Sequence, residues 1–244
     1  MSGDSWKDYQ QFKISSPDSE AYYDLVRTVF VRGVEQVCTN TKFNNAIDLG
    51  CGSGELTRGL LNYSHAVTGV DSSAEQIRLA KQGAGSAKMD YIHADVLTTA
   101  LLPLLNEKRF DLVTAAWLHN HILHEEEQRQ LLSTILEILN PGGAFVFLIP
   151  SSAFASSRTQ SYIAKLGWEQ AWLEESIHCS RGVYSFANSA WAEMSVWQPM
   201  WLANLYMRNF SINFLDIKGI SLEHKGMGDV LIEPPFDVMF GYRL

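Results

Sequence analysis

The chain has 244 residues, room for one large domain or two small ones, and 46% apolar with 11% aromatic residues is ample material for a core. That composition excludes a disordered or fibrous chain. A formal net charge of -8, from 19 Lys and Arg against 27 Asp and Glu, removes the field that gathers phosphate backbone onto a protein, so no nucleic-acid partner is expected.

In chain order, the opening MSGDSWKDYQQFKIS lacks the apolar stretch of a secretory signal, and no run approaches the roughly eighteen apolar residues that span a bilayer. A cytoplasmic protein away from membranes is the expectation. From Ser19 to about Val37, Tyr22, Leu25, Val26, Val29, Phe30, Val34 and Val37 recur at helical spacing, an amphipathic helix. Strands and helices then alternate through short connections. NNAIDL (44–49), AVTGVD (66–71), YIHA (91–94), FDLVTAA (110–116) and AFVFLI (144–149) read as strands. ELTRGLLNY, SAEQIRLAKQ, a short apolar stretch near 99–106 and EEQRQLLSTILEIL (126–139) read as helices between them. Strands linked this way lie parallel with both faces covered, which makes a doubly wound α/β sheet. Beyond Pro150 the order is less regular, and 151–210 holds Trp168, Trp172, Trp191, Trp197 and Trp201. SINFLDI (211–217) and FDVMFGY (236–242), separated by a loop with KGMGD, close the chain as strands. Nothing resembles an interdomain linker. A single domain over 1–244 follows, with an N-terminal helical cover (1–43), a cofactor-binding core (44–149), an acceptor-binding segment (150–210) and closing strands (211–244).

The most informative stretch is AIDLGCGSGELT, where Asp48 ends a strand and Gly50, Gly52 and Gly54 lead into a helix. A dinucleotide site would use GxGxxG to bring a helix N-terminus to a pyrophosphate. Here the pattern is GxGxG with a carboxylate two residues ahead, which repels phosphate and favours a positively charged group such as an α-ammonium. Asp71 ends the next strand, placed to accept hydrogen bonds from both hydroxyls of a ribose. Asp95, in HADV after the third, suits an exocyclic adenine amine. Three acids at three successive strand ends describe one ligand.

With IDLGCGSG, VTGVDSS, HADV, FDLV and LNPGGAFVF in this order over 44–149, the sequence resembles the class I S-adenosylmethionine-dependent methyltransferases. The resemblance implies a Rossmann-like, mostly parallel seven-stranded sheet whose last strand is antiparallel. It implies S-adenosylmethionine as cofactor, with Asp48, Gly50, Cys51, Gly52 and Gly54 around its methionine part, Asp71 and Ser72 at the ribose, Asp95 and Val96 at the adenine, and Ala115 among the cofactor-binding positions. It gives Cys51 no catalytic role. Within the family, AAWLHNHILHEEEQRQLLSTILEILNPGG is similar to the segment of small-molecule methyltransferases in which a Leu-His pair follows strand four. No Asn-Pro-Pro-Tyr run, linked by resemblance to methylation of bases or glutamine, is present there.

Transfer from a sulfonium needs alignment and dryness first, and a base only where the acceptor must lose a proton. His119, just after strand four, is the candidate base, since imidazole accepts a proton near neutral pH. His121 and His124 are three apart and can share a helical face, but His119 would then point elsewhere, and no metal site is expected. The three cysteines, Cys38, Cys51 and Cys179, stand in no CxxC pair, fit neither a disulfide framework nor a thiolate zinc site, and point to a reducing compartment. Trp117, Trp191, Trp197 and Trp201 with Tyr184 and Phe186 are the candidate walls of a flat apolar pocket, His121 and Tyr22 join the acceptor-binding set, and the resemblance implies that the amino-terminal segment with Tyr9, Tyr22 and Tyr23 closes over the cofactor. The expected function is methyl transfer to N, O or C of a small, aromatic or heterocyclic metabolite, by a monomer or homodimer. The rival reading is a non-catalytic, regulatory S-adenosylmethionine- or nucleoside-binding subunit.

Overall fold

The computed structural model describes residues 17–98, 100–155, 161, 164, 168–186, 192–217 and 235–244. Tyr9, Trp191 and the KGMGD loop lie outside the described residues. The chain enters through helix α1 (Pro17–Val37). The alternating section follows as β1 (Phe43–Leu49), α2 (Glu55–Gly59), β2 (Ser64–Asp71), α3 (Ala74–Gln82), β3 (Met89–His93), α4 (Leu101–Leu104), β4 (Phe110–Ala116), α5 (Glu125–Ile138) and β5 (Leu139–Pro150). A second section holds β6 (Trp168–Glu175), β7 (Cys179–Phe186), β8 (Ala192–Trp197) and α6 (Pro199–Tyr206), before β9 (Asn213–Phe214) and β10 (Phe236–Tyr242).

The described strands form two sheets, one of seven in the order β3-β2-β1-β4-β5-β10-β9 and one of three in the order β6-β7-β8. β1 to β5 are mutually parallel, while β10 inserts antiparallel between β5 and β9. The expected doubly wound sheet is therefore present, with its antiparallel last strand. Strand order reverses between β1 and β4, where β1 pairs β2 on one side and β4 on the other. Open parallel sheets form their ligand crevice at the carboxyl ends of the strands flanking such a reversal.

Both faces are dry, which is why the central strands read as continuous apolar runs. On one face the stripe of α1, from Tyr22 and Leu25 through Phe30 to Val37, packs on Ala46, Val67, Leu112, Val146, Leu148 and Val238. Each fully buried aliphatic or aromatic side chain here contributes roughly 1.5–3 kcal/mol. Gly33 permits the approach, because a Cβ there would stand 2.6 Å from Val238 Cγ1 and 2.9 Å from Val146 Cγ1. On the other face α5 supplies Leu131, Leu132, Ile135 and Ile138, and α6 supplies Leu202, Ala203 and Tyr206, over Phe145, Phe147 and Ile149.

Two expectations are corrected. The segment taken as irregular contains an antiparallel three-stranded sheet, and the strand expected over 211–217 is only the two residues of β9, paired with Met239 and Phe240. In the turn between β6 and β7 the Ser176 hydroxyl accepts from the backbone N–H of His178 and Cys179.

The junction of β10 with the chain before β9 makes a sharp demand on one residue. A Cβ on Gly241 would lie 1.7 Å from the backbone oxygen of Ser211, and no rotamer change relieves a clash with backbone. Gly241→Ala is expected to lower the urea unfolding free energy by about 3 kcal/mol, at the upper end of overpacking costs. An unchanged unfolding midpoint would show that the strands can part without penalty.

Candidate active site

The site grows from the carboxyl end of β1. Asp48 is 2% exposed and accepts hydrogen bonds from Thr57 Oγ1 at 2.6 Å and Thr114 Oγ1 at 2.8 Å. One carboxylate thus ties β1 to α2 and to β4. Burial pushes its pKa up to about 6, with the two hydroxyls opposing that rise. Asp48 sits beneath the glycine loop and shapes it from below, with both oxygens engaged by protein hydroxyls.

The loop itself is left-handed three times, with φ of 70° at Gly50, 53° at Gly52 and 79° at Gly54. Such values suit glycine, and a Cβ at Gly54 would also fall 2.4 Å from the Tyr91 hydroxyl. Cys51 packs with Ile77, Ala80 and Tyr91, and burial raises its thiol pKa far above the ordinary range, so it stays an inert thiol. Gly50 N–H and Cys51 N–H both donate to Val70 O, at 2.8 and 3.0 Å.

Asp71 closes the loop from the neighbouring strand. Its Oδ2 accepts from Gly52 N–H and its Oδ1 from Ser73 N–H, each at 2.8 Å. A carboxylate offers about four lone-pair positions, so each oxygen keeps one for a further donor. Burial raises the Asp71 pKa against the pull of those two N–H groups. Ser72 is held by His93, whose Nε2 is 3.0 Å from Ser72 O. On the third strand end Asp95 Oδ1 accepts from Leu97 N–H at 2.9 Å, next to the buried Val96. Ala115 is fully buried within β4. The three predicted acids therefore stand at the ends of three adjacent strands, Asp48 behind the loop, Asp71 bonded to it and Asp95 beyond.

Beyond β4 the chain bends at Trp117, whose φ of 61° is strained by about 1–3 kcal/mol for a bulky residue. Its N–H bonds Leu148 O at 3.0 Å, and its ring meets Phe236 edge-on at 5.8 Å. Phe236 in turn meets Tyr22 at 6.3 Å, and Tyr22 meets Tyr23 at 5.5 Å. Trp117 and Tyr22, both expected at the acceptor, are thus joined by a phenylalanine that the sequence reading took only as part of a strand. His121 and Tyr184 form a second pairing, ring centroids 6.5 Å apart.

Two expected roles do not fit their placement. His119 is fully buried against Phe147 at 5.2 Å and Tyr206 at 6.2 Å, with Nδ1 2.7 Å from Gln128 Oε1. Burial lowers its pKa to about 4, so it is a neutral packing group here and not an accessible base. Trp197 is 3% exposed, stacks on Trp201 at 4.8 Å and donates Nε1–H to Ile122 O at 2.7 Å, so it is chiefly a core side chain, and the cavity it borders is lined by residues such as His124, Glu174, His178 and Arg181 and by none of the glycine loop. Trp201 belongs to the same stack, which continues to His178 at 5.7 Å. His124 precedes α5, where Glu127 accepts from the N–H groups of Leu123 and His124. Among the described residues no three His, Cys, Asp or Glu side chains gather as metal ligands do.

One acid escaped the sequence reading. Asp237 lies in β10 opposite Ile149, and burial raises its pKa. Its only signal was a carboxylate inside an apolar strand that follows Pro234-Pro235.

Comparison with known proteins agrees with this geometry. Residues 46–143 match the family model described as a methyltransferase domain. The ubiquinone biosynthesis O-methyltransferase of Coxiella burnetii is 28% identical over 127 residues, 50% of this chain and 50% of that one. The chain spans about half the length of the curated relatives it matches first. The crystal structure of the N-methyltransferase NodS from Bradyrhizobium japonicum, in complex with S-adenosyl-l-homocysteine, superposes with TM-score 0.58 at 14% identity, covering 95% of this chain and 89% of that one. An S-adenosylmethionine-dependent methyltransferase structure from Mesorhizobium loti gives TM-score 0.62 at 17% identity, covering 87% and 96%. At such identities the structural likeness is one of fold.

The raised pKa of Asp48 has a definite sign. A carboxyl near 6 in the folded state and near 3.9 unfolded adds stability that is complete below about pH 4 and lost as pH rises through about 6. Unfolding free energies of wild type and Asp48→Asn, followed from pH 4 to 7, are expected to diverge in slope by about 3 kcal/mol over that span. Parallel curves would mean that Asp48 ionises in the folded protein as freely as in the unfolded chain.

Proposed function

We propose that this chain, whose residues 46–143 match a methyltransferase domain, is a class I S-adenosylmethionine-dependent methyltransferase and transfers a methyl group to a nitrogen, oxygen or carbon of a small, ring-bearing acceptor. The glycine loop fits the cofactor: three left-handed glycines turn the backbone sharply at the end of β1, and each Asp71 oxygen keeps an acceptor position beyond its bond to the loop. In this reading Asp71 holds the ribose hydroxyls, Asp95 and Val96 border the adenine, and Gly50 and Gly52 let backbone approach the methionine part. When bound, S-adenosylmethionine supplies a methyl carried on a sulfonium, whose departure leaves a neutral thioether.

The protein's share of the work is then alignment and exclusion of water. Trp117, partly exposed where the chain leaves β4, is backed by the buried rings of Phe236 and Tyr22, which supports a flat acceptor against it and a ring face that favours a cationic sulfur. His119, being sealed and neutral, takes no proton in this scheme. Where the acceptor must lose one, solvent or a carboxylate at the sheet edge receives it.

The observation that carries the reading is the Asp71–Gly52 bond within a run of positive-φ glycines. S-adenosylhomocysteine at a hundred times its dissociation constant is expected to stabilise the protein by about 2.7 kcal/mol, visible as a thermal shift. Asp71→Ala should weaken that binding by roughly tenfold to a hundredfold, the equivalent of about 1.5–3 kcal/mol for lost bonds to a charged acceptor. Absence of any shift at millimolar ligand would end the proposal. Transfer of a labelled methyl into fractionated metabolite pools then identifies the acceptor and separates an enzyme from a cofactor-binding subunit.

A further inference from the structure

The turn that leaves β4 touches the glycine loop directly: Leu118 Cδ1 lies 3.2 Å from where a Cβ on Gly50 would stand. One and four residues further on, the backbone carbonyls of His119 and Ile122 point into the protein, in residues that are 0% and 1% exposed. Buried carbonyls need donors, and within its own turn His119 O receives only Ile122 N–H at 3.3 Å. The remaining donors come from two other elements. Gln128 of α5 gives its Nε2–H to His119 O at 3.2 Å. Ser195 Oγ lies 2.8 Å from Ile122 O and 3.2 Å from His119 O, and Trp197 Nε1–H reaches Ile122 O at 2.7 Å. Ser195 and Trp197 are two apart on β8, so they share one face of the strand, while Met194 and Val196 pack with Phe154 and Tyr184 on the other.

We propose that Ser195 and Trp197 are positioning residues for the cofactor site: the small sheet grips the turn after β4 through two carbonyls, and the turn in turn seats Leu118 over Gly50. The three-stranded sheet is thereby more than a wall. Whatever displaces β8, including an acceptor docking against it, alters the seat of Leu118 and hence cofactor affinity, and linkage makes that effect reciprocal. Ordinary packing would need only apolar contact across this junction, whereas the structure spends every donor on the face toward the turn. The effect on cofactor rests on the function proposed above; the grip on the turn does not.

The test compares full-length Ser195→Ala and Trp197→Phe with Val196→Ala, which thins the same strand on its opposite face and removes no donor. Each is measured below its own melting onset by isothermal titration with S-adenosylhomocysteine and by ligand-free hydrogen exchange. Losing a buried donor should raise amide exchange across 118–122 about tenfold and weaken S-adenosylhomocysteine about fivefold or more. Ser195→Thr, which keeps the hydroxyl, should restore both. Val196→Ala should melt lower and yet bind within about twofold of wild type. The proposal is overturned if the two donor variants bind as wild type does, or if Val196→Ala weakens binding as much as they do. Should wild type itself ignore S-adenosylhomocysteine, the proposed function fails, and the exchange measurement alone decides whether the grip exists: faster exchange upholds it, unchanged exchange removes it.

Discussion

A carboxylate buried at the end of the first strand is the constraint on which the site depends. Asp48 accepts from Thr114 on β4 and Thr57 on α2, so the two strands flanking the reversal of sheet order and the helix leaving the glycine loop meet at one side chain. Removing the acceptor from such a place would leave Thr57 without this partner and Thr114 with only the longer bond to Ile47 O at 3.4 Å, at about 1–3 kcal/mol for a buried group left unpaired. Nearby, the loop above draws on a second carboxylate, Asp71, whose two oxygens each take a backbone N–H. The loop is thus held between two acids by hydrogen bonds, and its glycines supply the left-handed angles that this geometry demands. Asp48 also responds to Asp71, whose charge adds to the rise in its pKa. Two neighbouring carboxylates, both pushed upward, leave a region where an added positive charge is favourable.

Most of the large sheet was legible because parallel strands buried on both faces leave a plain signature. The runs over 110–116 and 236–242 match β4 and β10 residue for residue, since each is bounded by polar or turn residues. Helix α1 was legible from its stripe, every apolar member of which is buried. The three-stranded sheet was not, for a physical reason. In β6, Ala171, Leu173, Glu174 and Glu175 are all exposed, and Leu173 is 68% exposed; an edge strand open to solvent carries no regular inward row to read. SINFLDI promised a long strand from its composition, yet its edge position limits pairing to two residues.

At the site the sequence located the loop and the acids but not their division of labour. Gly50, Gly52, Gly54, Asp71 and Asp95 follow from spacing, because spacing alone puts them at successive strand ends. That Asp48 faces inward to two threonines depends on Thr114, 66 residues away, and nothing local announces such a pair. His119 misled in the same way. A histidine after strand four is as compatible with catalysis as with packing, and only the third dimension brings Gln128, Phe147 and Tyr206 around it. Trp197 belonged by type to an aromatic pocket, but its N–H found a carbonyl in the core. Phe236 and Asp237, by contrast, were read as strand residues, and their significance comes from the antiparallel insertion of β10 beside β5.

That insertion matters for how chemistry is confined. An antiparallel strand brings its amino end, Phe236, to the edge where the parallel strands present their carboxyl ends, so residues of opposite chain direction border one crevice. Trp117 leaves β4 at a strained φ and is steadied by a β5 carbonyl and by Phe236. Strain of this kind persists only where surrounding contacts fix it, and here the contacts come from two other strands, β5 and β10. The same logic governs the turn that follows, whose carbonyls are claimed by α5 and β8. The segment from Trp117 to Ile122 is therefore set by its neighbours rather than by its own sequence. Because Leu118 of that segment lies against Gly50, a change in those neighbours is felt at the glycine loop as well as at the turn itself.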